Sequence, residues 1–168
     1  MSRGFDDLLA ANEAYAAAFD DGALAGRAAR GLAVVTCMDS RIEPLLMLGL
    51  SPGDAKILRN AGGRVTGDVL RTLVLAVHLL GVERVMVVQH TDCRMATVND
   101  DEAHAAILDA SGTDTRSLEF RTIQDQQETL ERDVLRVRSS PYLPEGLPVV
   151  GCVYDVSTGR LAVAVPLG

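Results

Sequence analysis

Aromatic residues are scarce in this sequence of 168 residues: tryptophan is absent, and aromatics make up 4% of the chain. Few side chains are therefore available to stack on bases or sugars. Basic residues are also outnumbered, because 16 Lys and Arg against 23 Asp and Glu give a formal net charge of −7. Binding to a phosphate backbone needs a basic surface, so nucleic acid is not the expected partner.

Long apolar runs are missing as well. Stretches such as residues 73–77 are far shorter than the roughly 20 residues that cross a bilayer, so we expect no membrane partner. Asp6 and Asp7 occupy the region where a secretion signal would need an apolar run. These features predict a soluble, cytoplasmic protein.

The chain has three cysteines, Cys37, Cys93 and Cys152. An odd and sparse set of cysteines is poor material for a disulfide framework. In a reducing compartment, metal binding or catalysis is the better explanation for such residues.

The length and the 48% hydrophobic content favour a single domain spanning residues 1–168. Residues 1–30 are predicted to form a helical arm, and residues 31–168 an α/β core. Apolar residues recur at about helical spacing in the arm, among them Phe5, Leu8 and Leu9. Such an arm either covers its own domain or packs on a second copy, so we expect a homodimer or a dimer of dimers.

The core alternates between two patterns. Continuous apolar runs predict buried strands at 32–37, 55–58, 84–89, 149–153 and 161–165. Helical periodicity predicts helices at 42–49, 67–80 and 118–138. This alternation predicts the α/β class, with a mainly parallel central sheet of order 2-1-3-4, an antiparallel edge strand and flanking helices.

Two predicted strands end in residues that bind metals. Cys37 ends the first strand, while His90 and Cys93 follow the third. If these strands are neighbours, the three side chains converge at one edge of the sheet. Two thiolates and one imidazole suit Zn²⁺ and leave one coordination position open, as in a catalytic site. Cys152 lies inside a predicted strand and is interpreted as a core residue.

Each of these features also has a plain structural explanation. A cysteine that ends a buried strand is often only a small core residue, and a lone histidine is often structural. Asp39 and Arg41 follow Cys37 closely and form either a catalytic carboxylate with its guanidinium partner or an ordinary surface ion pair. The stretch 59–64 is either a tight turn or a wall of the same crevice.

Taken together, the motifs resemble those of β-class carbonic anhydrases. They are Cys-x-Asp-Ser-Arg at 37–41, Arg-Asn-Ala-Gly-Gly at 59–63 and His-Thr-x-Cys at 90–93. The resemblance implies reversible hydration of CO₂ to bicarbonate and a proton, with zinc as the cofactor. It further implies that Cys37, His90 and Cys93 bind the metal, that Asp39 and Arg41 form a catalytic dyad, and that Asn60, Ala61 and Gly62 line the substrate pocket.

One position departs from the family pattern, because Arg94 stands where the family usually has glycine. We expect it to affect pocket access or subunit packing. Two other functions stay open: a hydrolase for carbonyl sulfide or carbon disulfide on the same scaffold, and a non-catalytic zinc-stabilised binding protein. His78 and His104 are candidate proton shuttles only by elimination.

Overall fold

The computed structural model describes residues 4–168 and, among these, every side chain except that of Asp21. Five strands form one mixed sheet of order β2-β1-β3-β4-β5, in which only the β4–β5 pair is antiparallel. The strands are β1 (Leu32–Cys37), β2 (Ala55–Asn60), β3 (Arg84–His90), β4 (Val149–Tyr154) and β5 (Leu161–Val165). The predicted fold class, strand order and antiparallel edge are confirmed.

Five α-helices accompany the sheet: α1 (Asp6–Ala17), α2 (Pro44–Met47), α3 (Gly67–Leu79), α4 (Asp100–Ser111) and α5 (Gln126–Arg138). Within the described residues, no helix combines the length and the apolar character that a membrane crossing requires.

The two faces of the sheet are covered unequally. One face packs against the apolar sides of α3 and α5, where Leu73, Leu130 and Val134 are fully buried. Burying such side chains stabilises the fold by about 1.5–3 kcal/mol each. The opposite face carries a smaller cluster built on Leu32 and Val34.

Helix α1 buries none of its residues. Phe5 and the apolar side chains of α1 remain largely exposed, as 72% of Phe5 and 62% of Leu9 are accessible. Residues 1–3 of the helical arm predicted for 1–30 lie outside the described residues. Within the described part the helix is shorter than predicted, because α1 spans Asp6–Ala17 and a single 3₁₀ turn follows at Asp21–Ala23. Turn-forming residues at 20–22 explain the early end.

The prediction of one helix over 118–138 is wrong in its first part. Helix α5 begins at Gln126, after Asp125 caps it by accepting a hydrogen bond from the Glu128 amide at 2.8 Å. The preceding residues instead form a loop held by Asp100, whose carboxylate accepts from the backbone amides of Phe120, Arg121 and Thr122. Because these amides donate to the Asp100 carboxylate, they do not need helical hydrogen bonds, and the segment forms a loop instead of a helix.

Helix α4 is absent from the predicted elements, and the helix predicted at 42–49 is shorter in the structure. No residue of α4 is buried, so the apolar periodicity that identifies helices is weak there. A capping box between Asn99 and Glu102 is the local signal that marks its start. In α2, Pro44 occupies the first turn, as predicted.

The Asp100 anchor generates a prediction about stability and pH. Its hydrogen bonds, first that from Thr122, lower the pKa of the Asp100 carboxyl. The stabilisation is therefore present above the unfolded pKa of about 3.9 and lost as the pH falls through the lower folded pKa. We expect Asp100→Ala to reduce the free energy of unfolding by about 1–2 kcal/mol at pH 7, and by less below pH 4.

Urea denaturation at both pH values measures this difference. Asp101→Ala is the matched control, because Asp101 is exposed in the same helical turn and makes none of these bonds. An equal loss for the two variants, or a loss independent of pH, would contradict the role assigned to the carboxylate.

Candidate metal centre

Parallel pairing of β1 with β3 brings the cysteine and histidine side chains together. Cys37 is the last residue of β1, His90 is the last residue of β3, and Cys93 follows three residues later. Their two sulfur atoms and a ring nitrogen lie within 4.8 Å of one another. All three residues are buried, with at most 4% of any of them exposed. The predicted convergence of these side chains is observed.

A hydrogen bond at one ring nitrogen orients the imidazole of His90, and the other ring nitrogen has no hydrogen-bond partner among the described residues. Its Nδ1 lies 2.8 Å from the Thr91 carbonyl oxygen, which can only accept, so Nδ1 carries the proton. Its buried Nε2 has no hydrogen-bond partner among the described residues. Such an arrangement leaves a lone pair on Nε2, as in metal-ligating histidines.

The two sulfur atoms are electrostatically coupled. Hydrogen bonding by the neighbouring Cys93 thiol, more than any other influence, lowers the pKa of Cys37 to about 4. The pKa of Cys93 is correspondingly raised, first by Cys37 and then by burial. The neighbouring Cys37 sulfur also raises the pKa of His90.

The donor set fits Zn²⁺. Two sulfurs and an imidazole nitrogen match the ligands that this ion prefers, and three protein ligands leave its fourth position open. A divalent cation would also stabilise both thiolates in the buried pocket. The orphaned Nε2 of His90 would gain a partner at the same time. Among the residues that the structure describes, no second cluster of three such side chains occurs.

Asp39 and Arg41 lie beside this cluster and are joined by three hydrogen bonds, one from the Arg41 backbone amide and two from its guanidinium. Arg41 donates from Nε to Asp39 Oδ1 at 2.9 Å and from Nη2 to Oδ2 at 2.8 Å. Hydrogen bonding by Arg41 holds the pKa of the Asp39 carboxyl well below its usual range. Asp39 Oδ2 lies 3.9 Å from Nε2 of His90. An ionised carboxylate is thus fixed at the edge of the cluster.

Two residues that sequence reasoning missed hold this dyad in place. Asp92 accepts a hydrogen bond from Arg41 Nη1 at 2.7 Å, and its carbonyl accepts from Nη2. Its φ of 53° lies in the left-handed region, which aspartate enters more readily than most residues. Arg59 donates to the carbonyl oxygens of Cys37 and Asp39. The short spacing of Asp92 from Cys93 was the available signal for its proximity.

The loop after β2 is closed by Asn60. Its Nδ2 donates to the Arg64 carbonyl and its Oδ1 accepts from the Arg64 amide, both at 2.8 Å. This tight turn places Gly62 beside the cluster, where its backbone hydrogen-bonds the Cys37 side chain. A Cβ on Gly63 would lie 2.8 Å from the Val88 carbonyl oxygen, so only glycine permits this approach to the strand ends.

The remaining candidates lie elsewhere. Cys152 is buried in β4, as predicted for a core residue, and burial raises its pKa. His78 Nε2 pairs with the Tyr142 carbonyl, and His104 Nδ1 pairs with Thr115 Oγ1. Neither histidine belongs to the Cys37, His90 and Cys93 cluster. Arg94 follows Cys93 in a 3₁₀ turn without the positive φ that would require glycine.

Comparisons with known proteins agree with this arrangement. The family model for carbonic anhydrase matches residues 32–161. Beta-carbonic anhydrase 1 of Mycobacterium tuberculosis is 38% identical over 162 residues, covering 96% of this chain and 98% of the relative. A carbonic anhydrase crystal structure from Streptococcus mutans superposes with a TM-score of 0.90 at 37% identity, covering 98% of this chain and 99% of that one.

A further relative has a different substrate. The carbon disulfide hydrolase of Acidithiobacillus thiooxidans is 31% identical over an alignment of 152 positions that covers 79% of this chain and 76% of the relative. Both the identity and the coverage are lower than for the carbonic anhydrases. The fold, the order of the motifs and these matches show that the chain belongs to the β-carbonic anhydrase family.

Proposed function

We propose that this protein catalyses the reversible hydration of CO₂ to bicarbonate and a proton, with Zn²⁺ bound by Cys37, His90 and Cys93. The observation that carries the proposal is the buried cluster of two sulfurs and one unsatisfied imidazole nitrogen beside an ionised Asp39. The similarity to carbonic anhydrases over nearly the whole chain supports the same activity. When bound, zinc would act as a Lewis acid that makes water a nucleophile near neutral pH.

Asp39 then serves as a hydrogen-bond acceptor for the attacking water. Because its carboxylate is ionised, Asp39 accepts a hydrogen bond from the O–H group of the attacking water. This bond orients a lone pair of the water oxygen towards CO₂. Arg41 occupies both carboxylate oxygens through its Nε and Nη2 atoms. This double contact holds the carboxylate in one orientation and favours its charged form.

Asp92 and Arg59 are proposed as positioning residues. Asp92 fixes the far side of the Arg41 guanidinium, and Arg59 fixes the backbone on both sides of Met38. The turn closed by Asn60 holds Ala61 and Gly62 as one wall of the substrate pocket. Each of these contacts limits the motion of the reacting groups, which favours a single productive geometry.

The first test is stopped-flow measurement of CO₂ hydration by the zinc-loaded protein, alongside sulfide release from carbonyl sulfide and carbon disulfide. We expect rapid CO₂ hydration and no comparable sulfide release. Sulfide release without CO₂ hydration would favour the hydrolase. Stoichiometric zinc without turnover of either substrate class would indicate a zinc-stabilised binding protein.

We also propose that the protein is cytoplasmic, because the site needs reduced thiols, which persist in a reducing compartment.

We also propose that the protein is a homodimer, or a dimer of such dimers. Helix α1 exposes Leu8, Leu9 and Tyr15, whereas the more open face of the sheet includes half-buried Met86 and Val150. Packing α1 of one copy on the other copy would remove both apolar surfaces from water.

Removal of one sulfur ligand tests the metal assignment. We expect Cys93→Ala to lose most of its zinc because thiolates dominate the affinity of such a site. The matched variant Cys152→Ala removes a buried thiol that lies outside the cluster, and it should retain about one zinc per chain. Zinc content after gel filtration, measured by mass spectrometry, distinguishes the two. A fully metallated Cys93→Ala protein would contradict the assignment.

Neutralising the proposed acceptor tests the dyad. Asp39→Asn should keep zinc, but it should slow CO₂ hydration by about 10²-fold, within the usual range for loss of a positioned acid–base group. Asp101→Asn removes an equal charge from an exposed position on α4 and should hydrate CO₂ at the parental rate. Parental activity of Asp39→Asn across the pH range would show that the carboxylate has no part in the reaction.

A charged residue on the apolar arm tests the dimer. Leu9→Asp should lower the mass measured by light scattering towards that of one chain, because a buried, unpaired carboxylate is costly at an interface. Ala14→Asp adds the same charge on the opposite side of α1 from Leu8, Leu9 and Tyr15 and should leave the mass unchanged. Equal masses for the parent and Leu9→Asp would exclude α1 as the contact between copies.

A further inference from the structure

A cavity of about 380 Å³ lies between α4 and the 3₁₀ turn at Arg94–Ala96. Met38 and Met95 form part of its wall, and Met95 packs in one apolar cluster with Cys37 and Cys93. Ala61, from the turn closed by Asn60, forms another part. The cavity therefore adjoins the candidate metal centre, and its volume lies within the range of small-molecule sites.

Among the described residues that line this cavity, Arg94 alone is charged, and the others are apolar. Within the described part of the chain, its guanidinium has no hydrogen bond or ion pair, whereas Arg41, Arg59 and Arg64 all make such bonds. No carboxylate neutralises the Arg94 charge inside the cavity. The combination of a free guanidinium and an apolar wall complements an anionic head on an apolar body.

We propose that this cavity binds a small organic monocarboxylate. Its carboxylate would accept hydrogen bonds from the Arg94 guanidinium, and its apolar body would contact Met95, Ile107 and Phe120. A single cation among apolar residues favours one negative charge over the two or more of a phosphate ester. Because Met95 also packs against Cys37 and Cys93, a bound acid would lie next to the metal centre and restrict access to it.

Binding does not depend on turnover, so this inference can fail while the proposed function stands. The test is calorimetric titration of the zinc-loaded protein with benzoate and with benzamide, its neutral counterpart. In Arg94→Gln, the Kd for benzoate should rise about tenfold, the effect of losing one charge-assisted hydrogen bond. The Kd for benzamide should not change. Arg136→Gln removes a charge from α5 outside the cavity and should leave both constants unchanged.

A second pair of variants tests the location. Ala106 lines the cavity, so Ala106→Phe places a large side chain inside it and should weaken benzoate binding at least tenfold. Ala105 does not line the cavity, so Ala105→Phe should leave the affinity for benzoate unchanged. Helix α4 buries no residue, so the core tolerates both substitutions. Unchanged benzoate affinity in Arg94→Gln would mean that the acid binds elsewhere, including at the metal, and would overturn the proposal. A changed oligomeric state of Ala106→Phe with unchanged benzoate affinity would instead make the cavity a contact between copies.

Discussion

The parallel pairing of β1 with β3 is the constraint on which the rest of the structure depends. It places the ends of two buried strands side by side, so that Cys37 and His90 reach the same crevice. Burial removes water from two sulfurs and from an imidazole nitrogen that has no hydrogen-bond partner among the described residues. A cation resolves this conflict, since it favours both thiolates and provides a partner for the free nitrogen. The metal and the fold would therefore stabilise each other.

Beside the metal cluster, one arginine pairs with two aspartates. Arg41 lies between the carboxylates of Asp39 and Asp92, and its bonds to both keep the first carboxylate ionised and oriented. The strand-to-helix turn is held separately by Arg59, which uses only backbone carbonyl groups as acceptors. The polar groups next to the metal cluster are thus preorganised by the chain itself. Preorganised charges of this kind need little rearrangement during a reaction, which is an efficient way of stabilising a transition state.

Much of this arrangement was predictable from the sequence because it depends on strong local patterns. β1 is apolar and buried along its whole length, and the rule that parallel strands end at one edge predicts where Cys37 and His90 meet. Helix α4 escaped prediction because nothing on it is buried. The loop before α5 was mistaken for helix because Asp100, about 20 residues earlier, competes for its backbone amides. The position of Asp92 next to Cys93 indicates that Asp92 lies near the metal cluster, but its bond to Arg41 joins residues 51 positions apart, and no local pattern reports that bond.

X-ray absorption spectroscopy at the zinc edge measures directly which atoms bind the metal. For the zinc-loaded protein, we expect two sulfur scatterers at about 2.3 Å and nitrogen or oxygen scatterers at about 2.0–2.1 Å, including the imidazole of His90. Cys93→Ala protein loaded with excess zinc should show one sulfur fewer. A shell of only nitrogen and oxygen, or a shell of four sulfurs, would contradict the account.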